Sequence, residues 1–341
     1  MTIELKIAKK DDRELWNEIV KKSPHGTLFH TWKFLKIVEK HTPSKLYPLI
    51  GMRGTTPVGI YPLFLQKKFF LRLVFSPPPH ALLLYLGPAI VDYDKLKQSK
   101  KESTFVEFQR KVNEFLESEI NYNYVRVRTS PGLIDSRPFL CTNYKVEPLY
   151  TYIIDIEKGP EYVWKNFNKQ VRIDINKTKR EGVKVEEGSE IELEFIRKSI
   201  ADRFIEQGLK PKDYSGYLTD VYKSYPNNIK IFVGKYNDEY VGGLTLLCYK
   251  DKASLWIGIP KTELQGIYPN DLIVWESIRW ACESGYKKYE IMAAGDDPRL
   301  RHFKSKFNPD PSLWYSAEKY SSPIYKGMEK VFRFYQKFIG M

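Results

Sequence analysis

The sequence has few of the residues that build disulfide frameworks or metal centres. It contains three cysteines, Cys141, Cys248 and Cys282, and none of them belongs to a C-x-x-C pair. An odd number of separated cysteines argues against both a disulfide framework and structural zinc, and it favours a reducing compartment. The five histidines also lack the spacing of metal ligands. We therefore expect no bound metal.

Long apolar runs are missing as well. No run reaches the ~18 residues that a membrane-spanning helix needs, and the nearest candidate, residues 69–91, is interrupted by Arg72 and by Pro77-Pro78-Pro79. The first six residues, Met1-Thr2-Ile3-Glu4-Leu5-Lys6, already include two charged side chains, and they do not have the pattern of a signal peptide. We expect a cytoplasmic protein in which Phe69-Phe70-Leu71 allows peripheral contact with a membrane surface.

The chain is rich in basic residues. Lys and Arg total 55 against 42 Asp and Glu, which gives a formal net charge of +13. Such a charge favours an anionic partner, which includes nucleic acid, a phosphorylated substrate and a membrane surface. A solvated lysine-rich surface explains the same number equally well.

Two distant stretches, residues 49–63 and 232–246, follow one pattern. Gly51 is separated from Gly59 by the same number of residues as Gly234 is from Gly242. Each stretch reads as an apolar strand, a short polar turn and a second apolar strand, and each is followed by a helix and further strands. A repeat of this kind indicates duplication of one unit.

The pattern predicts an α/β (mixed α+β) fold with two tandem domains, each a mixed, mostly antiparallel sheet flanked by helices. Strict alternation of strands and helices, which a doubly wound sheet requires, is not found. We place the N-terminal domain at 1–148 and the C-terminal domain at 149–341, with a final helix over 325–338. A further helix is predicted over 161–181, where six basic residues outnumber three acidic ones and aromatic residues lie among them. Such a surface suits either a nucleic-acid contact or a solvated helix face.

Several short motifs occur in a recognisable order. They are Phe29-His30-Thr31-Trp32 followed by Lys36, Gly87-Pro88 followed by Asp92-Tyr93, the basic segment 172–177, the helical segment 275–286, and Phe303-Lys304-Ser305-Lys306-Phe307. Together they resemble the FemAB-like family of the GNAT (N-acetyltransferase) superfamily over nearly the whole chain. The resemblance implies two tandem GNAT-like domains, with the catalytic site in the C-terminal one. Many members transfer an amino acid from aminoacyl-tRNA to an amine of a cell-wall precursor, and others look like acyl-CoA-dependent transferases.

The resemblance implies one catalytic residue, Lys304, whose cation would stabilise an oxyanion or neutralise a leaving group. The alternative is an ordinary surface lysine. Trp32, Lys36, Arg172 and Phe303 are substrate-binding candidates. Lys36 and Arg172 either hold an anionic acceptor or belong to a solvated helix face.

Two further residues are substrate-binding candidates at the last strand of the motif. Tyr289 is placed for proton transfer together with Glu290. Asp296, beside Asp297, either binds an amine or caps a turn.

The sequence leaves two acyl donors possible, aminoacyl-tRNA and acyl-CoA. The segment Gln265-Gly266-Ile267-Tyr268-Pro269-Asn270 precedes a predicted helix, but its glycine does not have the spacing of a CoA pyrophosphate loop. This favours a donor that is held in another way, with tRNA as a partner.

The function that we predict is a FemAB-like N-acyltransferase that moves an aminoacyl or acyl group to an amine, with no tightly bound cofactor. The acceptor is an anionic small molecule or a cell-envelope precursor, and no DNA partner is expected. One alternative is an acyl-CoA-dependent N-acetyltransferase. An alternative of another class is a non-catalytic module that binds RNA or an anionic surface.

Overall fold

The computed structural model describes residues 2–206, 208, 210–258, 264–293, 295 and 297–322, which fall into two compact units. Unit 2 is Tyr150–Ser312, and unit 1 is Met1–Leu149 together with the chain from Leu313 onwards. This division differs from the predicted domains, 1–148 and 149–341, because the chain after Ser312 returns to unit 1. The predicted helix over 325–338 lies outside the described residues.

Unit 1 is a sheet with helices on its faces. Its elements are β1 (Glu4–Ile7), α1 (Arg13–Lys22), α2 (Trp32–His41), β2 (Lys45–Arg53), β3 (Thr56–Lys68), β4 (Leu71–Ser76), β5 (Ala89–Ile90), α3 (Gln98–Phe115), β6 (Tyr124–Arg128) and α4 (Arg137–Leu140), joined by the last strand of the chain, β13 (Asp310–Tyr320).

The strand order of unit 1 is β1-β2-β3-β4-β6-β13, with β5 paired to β3. All neighbours are antiparallel except β4 and β6, which are parallel. Helix α3 supplies one core, in which Phe105, Phe108 and Val112 pack with Leu63 of β3 and Val127 of β6. Their spacing is the helical period that the sequence shows, and it directs all three toward the sheet.

Unit 2 repeats these layers. Its elements are β7 (Lys145–Asp155), α5 (Pro160–Asn166), α6 (Lys169–Arg180), β8 (Lys184–Glu187), α7 (Glu190–Glu206), α8 (Ser215–Ser224), β9 (Ile229–Tyr236), β10 (Glu239–Tyr249), β11 (Lys252–Gly258), α9 (Pro269–Glu283), β12 (Lys288–Glu290) and α10 (Pro298–Ser305).

The strand order of unit 2 is β8-β9-β10-β11-β12-β7. Here β11 and β12 are the parallel pair, and the other neighbours are antiparallel. Helix α9 connects the parallel strands and packs with α6 over one face, where Ile175, Ile278 and Leu246 share a core.

Each unit therefore contains a hairpin, a third antiparallel strand, a crossover helix, a parallel strand and an outer antiparallel strand. In unit 1 the crossover helix is α3 and the outer strand is β13; in unit 2 they are α9 and β7. The predicted fold class is confirmed: both units are mixed, mostly antiparallel sheets flanked by helices.

The single helix predicted over 161–181 is wrong, because the structure has two helices, α5 and α6, in this segment. Phe167 adopts an extended conformation and ends α5. Asn168 then begins α6, since its side chain accepts a hydrogen bond from the Gln170 amide at 2.9 Å. No helix in the described part of the chain combines the length and apolar character that crossing a membrane demands.

Candidate functional site

Lys304 lies on α10, the helix that follows β12. Pro298 occupies its first turn, and the Asp297 side chain caps it by accepting from the amides of Arg299 at 2.8 Å and Leu300 at 3.4 Å. The helix directs Lys304 back toward the end of β12. There the ammonium donates hydrogen bonds to the carbonyl oxygens of Met292 at 3.2 Å and Ala293 at 2.7 Å.

Burial controls the charge of Lys304. Loss of solvent lowers the pKa of its ammonium to about 8, while the negative charge of Glu290 acts in the opposite direction. An ammonium carries three N–H donors, and two of them are used by the Met292 and Ala293 carbonyls. Among the described residues the third N–H of this half-buried cation has no acceptor.

Glu290 ends β12 and is completely buried. Its Oε1 accepts from the Thr151 hydroxyl at 2.8 Å, and its Oε2 accepts from the Lys252 ammonium at 2.7 Å and the Ser254 hydroxyl at 3.1 Å. These partners fix the position of the carboxylate. Glu290 therefore acts as a fixed negative charge that favours protonated Lys304.

Tyr289 points to the opposite face of the strand. Its side chain has no exposed surface, and its hydroxyl makes a hydrogen bond of 2.8 Å with the Ser277 hydroxyl. Burial raises the pKa of this phenol. In this position Tyr289 belongs to the core beneath α9 and has no surface to offer a substrate.

Phe303 and Asp296 are the other candidates near α10. The Phe303 ring is half-buried, lies 5.7 Å from the Phe307 ring and has the Lys306 ammonium 4.6 Å above it. Asp296 lies outside the described residues. Its neighbour Asp297 caps α10, which is the role that the turn interpretation gave to this acidic pair.

The remaining candidates are distributed over both units. In unit 1 the Lys36 ammonium forms an ion pair with Glu39 and lies 5.9 Å from the centre of the Trp32 ring. Trp32 is buried and packs edge-on against Trp16 at 5.8 Å. In unit 2, Arg172 lies on α6, and its buried Nε has no hydrogen-bond partner in the described part of the chain. Lys304 and Phe303 are thus neighbours on α10, whereas Lys36 and Trp32 belong to the other unit.

The first turn of α9 carries a buried carboxylate. Asp271 is paired with the Lys306 ammonium, which lies 2.6 Å from both of its oxygens. Burial raises the pKa of Asp271, and Lys306 opposes that shift. The positive end of the helix dipole thus already faces an internal anion. This is the helix whose preceding loop was compared with a CoA pyrophosphate loop.

The network around Glu290 was only partly foreseen from the sequence. Glu290 itself was noted beside Tyr289, but Thr151, Lys252 and Ser254 were not. Thr151 comes from β7, and Lys252 and Ser254 come from β11, so only strand pairing brings them to one carboxylate. The alternation of side chains in β12 was the one available signal.

Residues 165–305 match the family model described as an acetyltransferase (GNAT) domain. This part of the chain, which contains β11, α9, β12 and Lys304, is therefore a GNAT domain, and the protein is an acyltransferase. No curated protein matches the sequence significantly.

Solved structures extend the likeness to both units. The crystal structure of FemX is 14% identical with a TM-score of 0.73, and the alignment covers 96% of this chain and 100% of that one. L-PGS from Bacillus licheniformis is 16% identical with a TM-score of 0.57, covering 98% and 99%. A tandem GNAT protein from the clavulanic acid biosynthesis pathway is 9% identical with a TM-score of 0.56, covering 94% and 99%. The predicted resemblance is confirmed at the level of the fold, because the chain has the tandem fold of these structures.

Proposed function

We propose that the protein transfers an aminoacyl group from aminoacyl-tRNA to an amine, and that Lys304 stabilises the oxyanion of the reaction. The observation that carries this proposal is the half-buried Lys304 ammonium, which is held by two carbonyls and has no third acceptor among the described residues. A cation of this kind, fixed away from bulk water, is worth more to a developing negative charge than one in solvent.

The reaction needs no covalent intermediate on the protein. The amine nitrogen attacks the carbonyl carbon of the donor ester, and the electron pair of the C=O bond moves to the oxygen. Lys304 donates its free N–H to that oxygen. The oxyanion then collapses, the ester C–O bond breaks, and the leaving alkoxide takes up the proton that the amine nitrogen releases. Holding both reactants in line supplies the rest of the rate enhancement.

The first turn of α9 favours aminoacyl-tRNA over acyl-CoA as the donor. The Asp271 carboxylate lies in the first helical turn, where it would repel the pyrophosphate of a CoA donor. The net charge of +13 and the resemblance to FemAB-like proteins support a tRNA donor. Acyl-CoA is the second candidate, because the matching family model describes an acetyltransferase. We propose an anionic small molecule or a cell-envelope precursor as acceptor.

The test is a transfer assay that offers radiolabelled aminoacyl-tRNA and acetyl-CoA side by side to a panel of amino acids, amino sugars and envelope precursors. The variants are Lys304→Met and, as a matched control on the same helix, Arg301→Gln, whose side chain is exposed. We expect label to move from aminoacyl-tRNA, a loss of at least a hundredfold in kcat for Lys304→Met, and normal turnover for Arg301→Gln.

Other outcomes of this assay would change the proposal. Transfer from acetyl-CoA alone would replace the donor and keep the role of Lys304. Near-normal turnover in Lys304→Met would remove that role. Salt-sensitive tRNA binding without any turnover, unchanged in Lys304→Met, would support a non-catalytic RNA-binding module instead.

We also propose a cytoplasmic protein that contacts an anionic membrane surface through the turn between β3 and β4. Phe69 and Phe70 are 96% and 74% exposed there, and Lys67 and Lys68 precede them. Exposed aromatics beside cations suit an anionic lipid interface. Co-sedimentation with phosphatidylglycerol vesicles should weaken in a Phe69→Ser, Phe70→Ser double variant. Equal binding by wild type and variant would exclude this contact.

A further inference from the structure

Strands β6 and β13 of unit 1 carry an unusual set of polar side chains on one face. Pairing sets Ser316 opposite Arg128 and Glu318 opposite Arg126. Because side chains alternate along a strand, Arg126 and Arg128 share one face of β6, while Val125 and Val127 pack in the α3 core. Trp314, two residues before Ser316, lies on the same face as the two arginines.

Three N–H donors on this face lack acceptors. The Nε atoms of Arg126 and Arg128 and the Nε1 atom of Trp314 are all buried, and none has a hydrogen-bond partner among the described residues. Trp314 is only 3% exposed, so bulk water has little access to its indole N–H. Buried N–H groups are almost always paired in folded proteins, and three exceptions on one face call for a common explanation.

The charges on this face are also unbalanced. Neither Arg126 nor Arg128 forms an ion pair within the part of the chain that the structure describes. Burial, and to a smaller extent the neighbouring Arg126, lowers the pKa of Arg128 to about 10. Glu318 and Glu147 act in the opposite direction without reaching ion-pair distance. A guanidinium that is buried beside a second one, without a carboxylate partner, is unfavourable unless an anion joins it.

We propose that Arg126, Arg128 and Trp314 form a binding site for a ligand carrying a phosphate or carboxylate group. The planar forks of two guanidinium groups match the oxygens of either group, and the indole N–H adds a neutral donor. The groups around them keep the donors in place. The Arg126 guanidinium lies 5.2 Å from the centre of the Phe75 ring, and the Trp314 ring packs edge-on against Tyr85 at 6.2 Å.

The site does not depend on the proposed transferase function. It lies in unit 1, whereas Lys304 lies in unit 2. Its unpaired donors and its charge would favour an anion even if Lys304 had no catalytic role. The site predicts binding of an oxyanion whether or not the protein is a transferase.

The experiment measures binding to the full-length protein by calorimetry, with inorganic phosphate, pyrophosphate and citrate as probes at constant ionic strength. The variants are Arg128→Met and Trp314→Phe. Arg110→Gln is the matched control, because it removes one exposed cation from α3 of the same unit. We expect at least a tenfold loss of affinity in Arg128→Met, a smaller loss in Trp314→Phe, and none in Arg110→Gln. Phosphate binding without citrate binding would assign a phosphate ligand, and the reverse would assign a carboxylate.

A second measurement separates a binding site from a structural arginine. Without ligand, Arg128→Met should melt at a higher temperature than wild type, because it removes an uncompensated buried charge. Added probe should raise the melting temperature of wild type and leave that of Arg128→Met unchanged. The inference is overturned if wild type binds none of the three probes at millimolar concentration, if Arg110→Gln loses as much affinity as Arg128→Met, or if Arg128→Met is destabilised or fails to fold.

Discussion

Gly51 and Gly59 face each other across β2 and β3, and the ring of Phe108 from α3 packs over both of them. A Cβ at Gly51 would lie 2.7 Å from Phe108 Cε2, and one at Gly59 would lie 3.1 Å from Phe108 Cε1. Unit 2 repeats the relationship, because Gly234 faces Gly242 across β9 and β10, and a Cβ at Gly234 would meet Ile273 of α9 at 2.9 Å. In both units a glycine of the hairpin, Gly51 or Gly234, lets the crossover helix approach closely.

Because the helix and the hairpin lie so close together, one added methyl group at Gly51 should destabilise the protein. Gly51→Ala should reduce the free energy of unfolding by about 1–3 kcal/mol, because the new methyl forces the Phe108 ring or the α3 backbone to move. Urea denaturation measures the change. Gly258→Ala is the control, since among the described residues its Cβ would meet only Leu255, at an ordinary 3.4 Å. Equal losses in the two variants would contradict the packing explanation.

The buried ammonium of Lys304 predicts a dependence of stability on pH. Its pKa is about 8 in the folded protein against an ordinary value of 10.5, so the unfolded chain binds more protons between these values. The free energy of unfolding should therefore rise as pH increases from about 8 to 10.5, by up to about 3 kcal/mol. Denaturation of wild type and Lys304→Met across this range tests the prediction, because the variant should lack that rise. Parallel curves for the two proteins would show that Lys304 is not desolvated.

The role of Lys304 as a cation predicts the direction of the pH–rate profile. Transfer should fall as pH rises through about 8, because neutral Lys304 no longer stabilises the oxyanion. In Glu290→Gln this decline should begin at lower pH, since the carboxylate that favours protonated Lys304 is gone. The measurement is kcat against pH in wild type and Glu290→Gln. A lysine that acted as a general base would instead give a rate that rises through the same range.

The ion pair at the start of α9 predicts a strongly coupled double-mutant cycle. Asp271 is buried, so Lys306→Met leaves a carboxylate without its counter-charge and should cost about 3–5 kcal/mol of stability. Adding Asp271→Asn should restore much of that loss, because the amide carries no charge. Chemical denaturation of both single variants and the double variant gives the coupling energy. Additive losses would mean that the two side chains do not depend on each other.

Much of the fold could be read from local patterns. The duplicated hairpins follow from apolar runs around Gly51–Gly59 and Gly234–Gly242, and α3 follows from the helical spacing of Phe105, Phe108 and Val112. Strand β13 was not foreseen. Its polar and apolar residues do not alternate clearly, and its pairing with β6 joins Ser316 to Arg128 across a long stretch of chain.

The features of the candidate site also fall into two groups, those that the sequence predicts and those that only the structure shows. The motif around Lys304 was visible in the sequence, but its hydrogen bonds to Met292 and Ala293 and its lowered pKa were not. The ion pair of Lys36 with Glu39 and the burial of Tyr289 were also invisible.

The sequence by itself determined the duplicated architecture, the resemblance to GNAT proteins and the position of the candidate lysine, because these depend on spacing and residue type along the chain. Only the tertiary structure decided which charges are desolvated, which are paired, and which N–H donors on β6 and β13 have no acceptor among the described residues. The physical reason is that desolvation and hydrogen bonding depend on distances between side chains from separate strands and helices, and local periodicity carries no information about those distances.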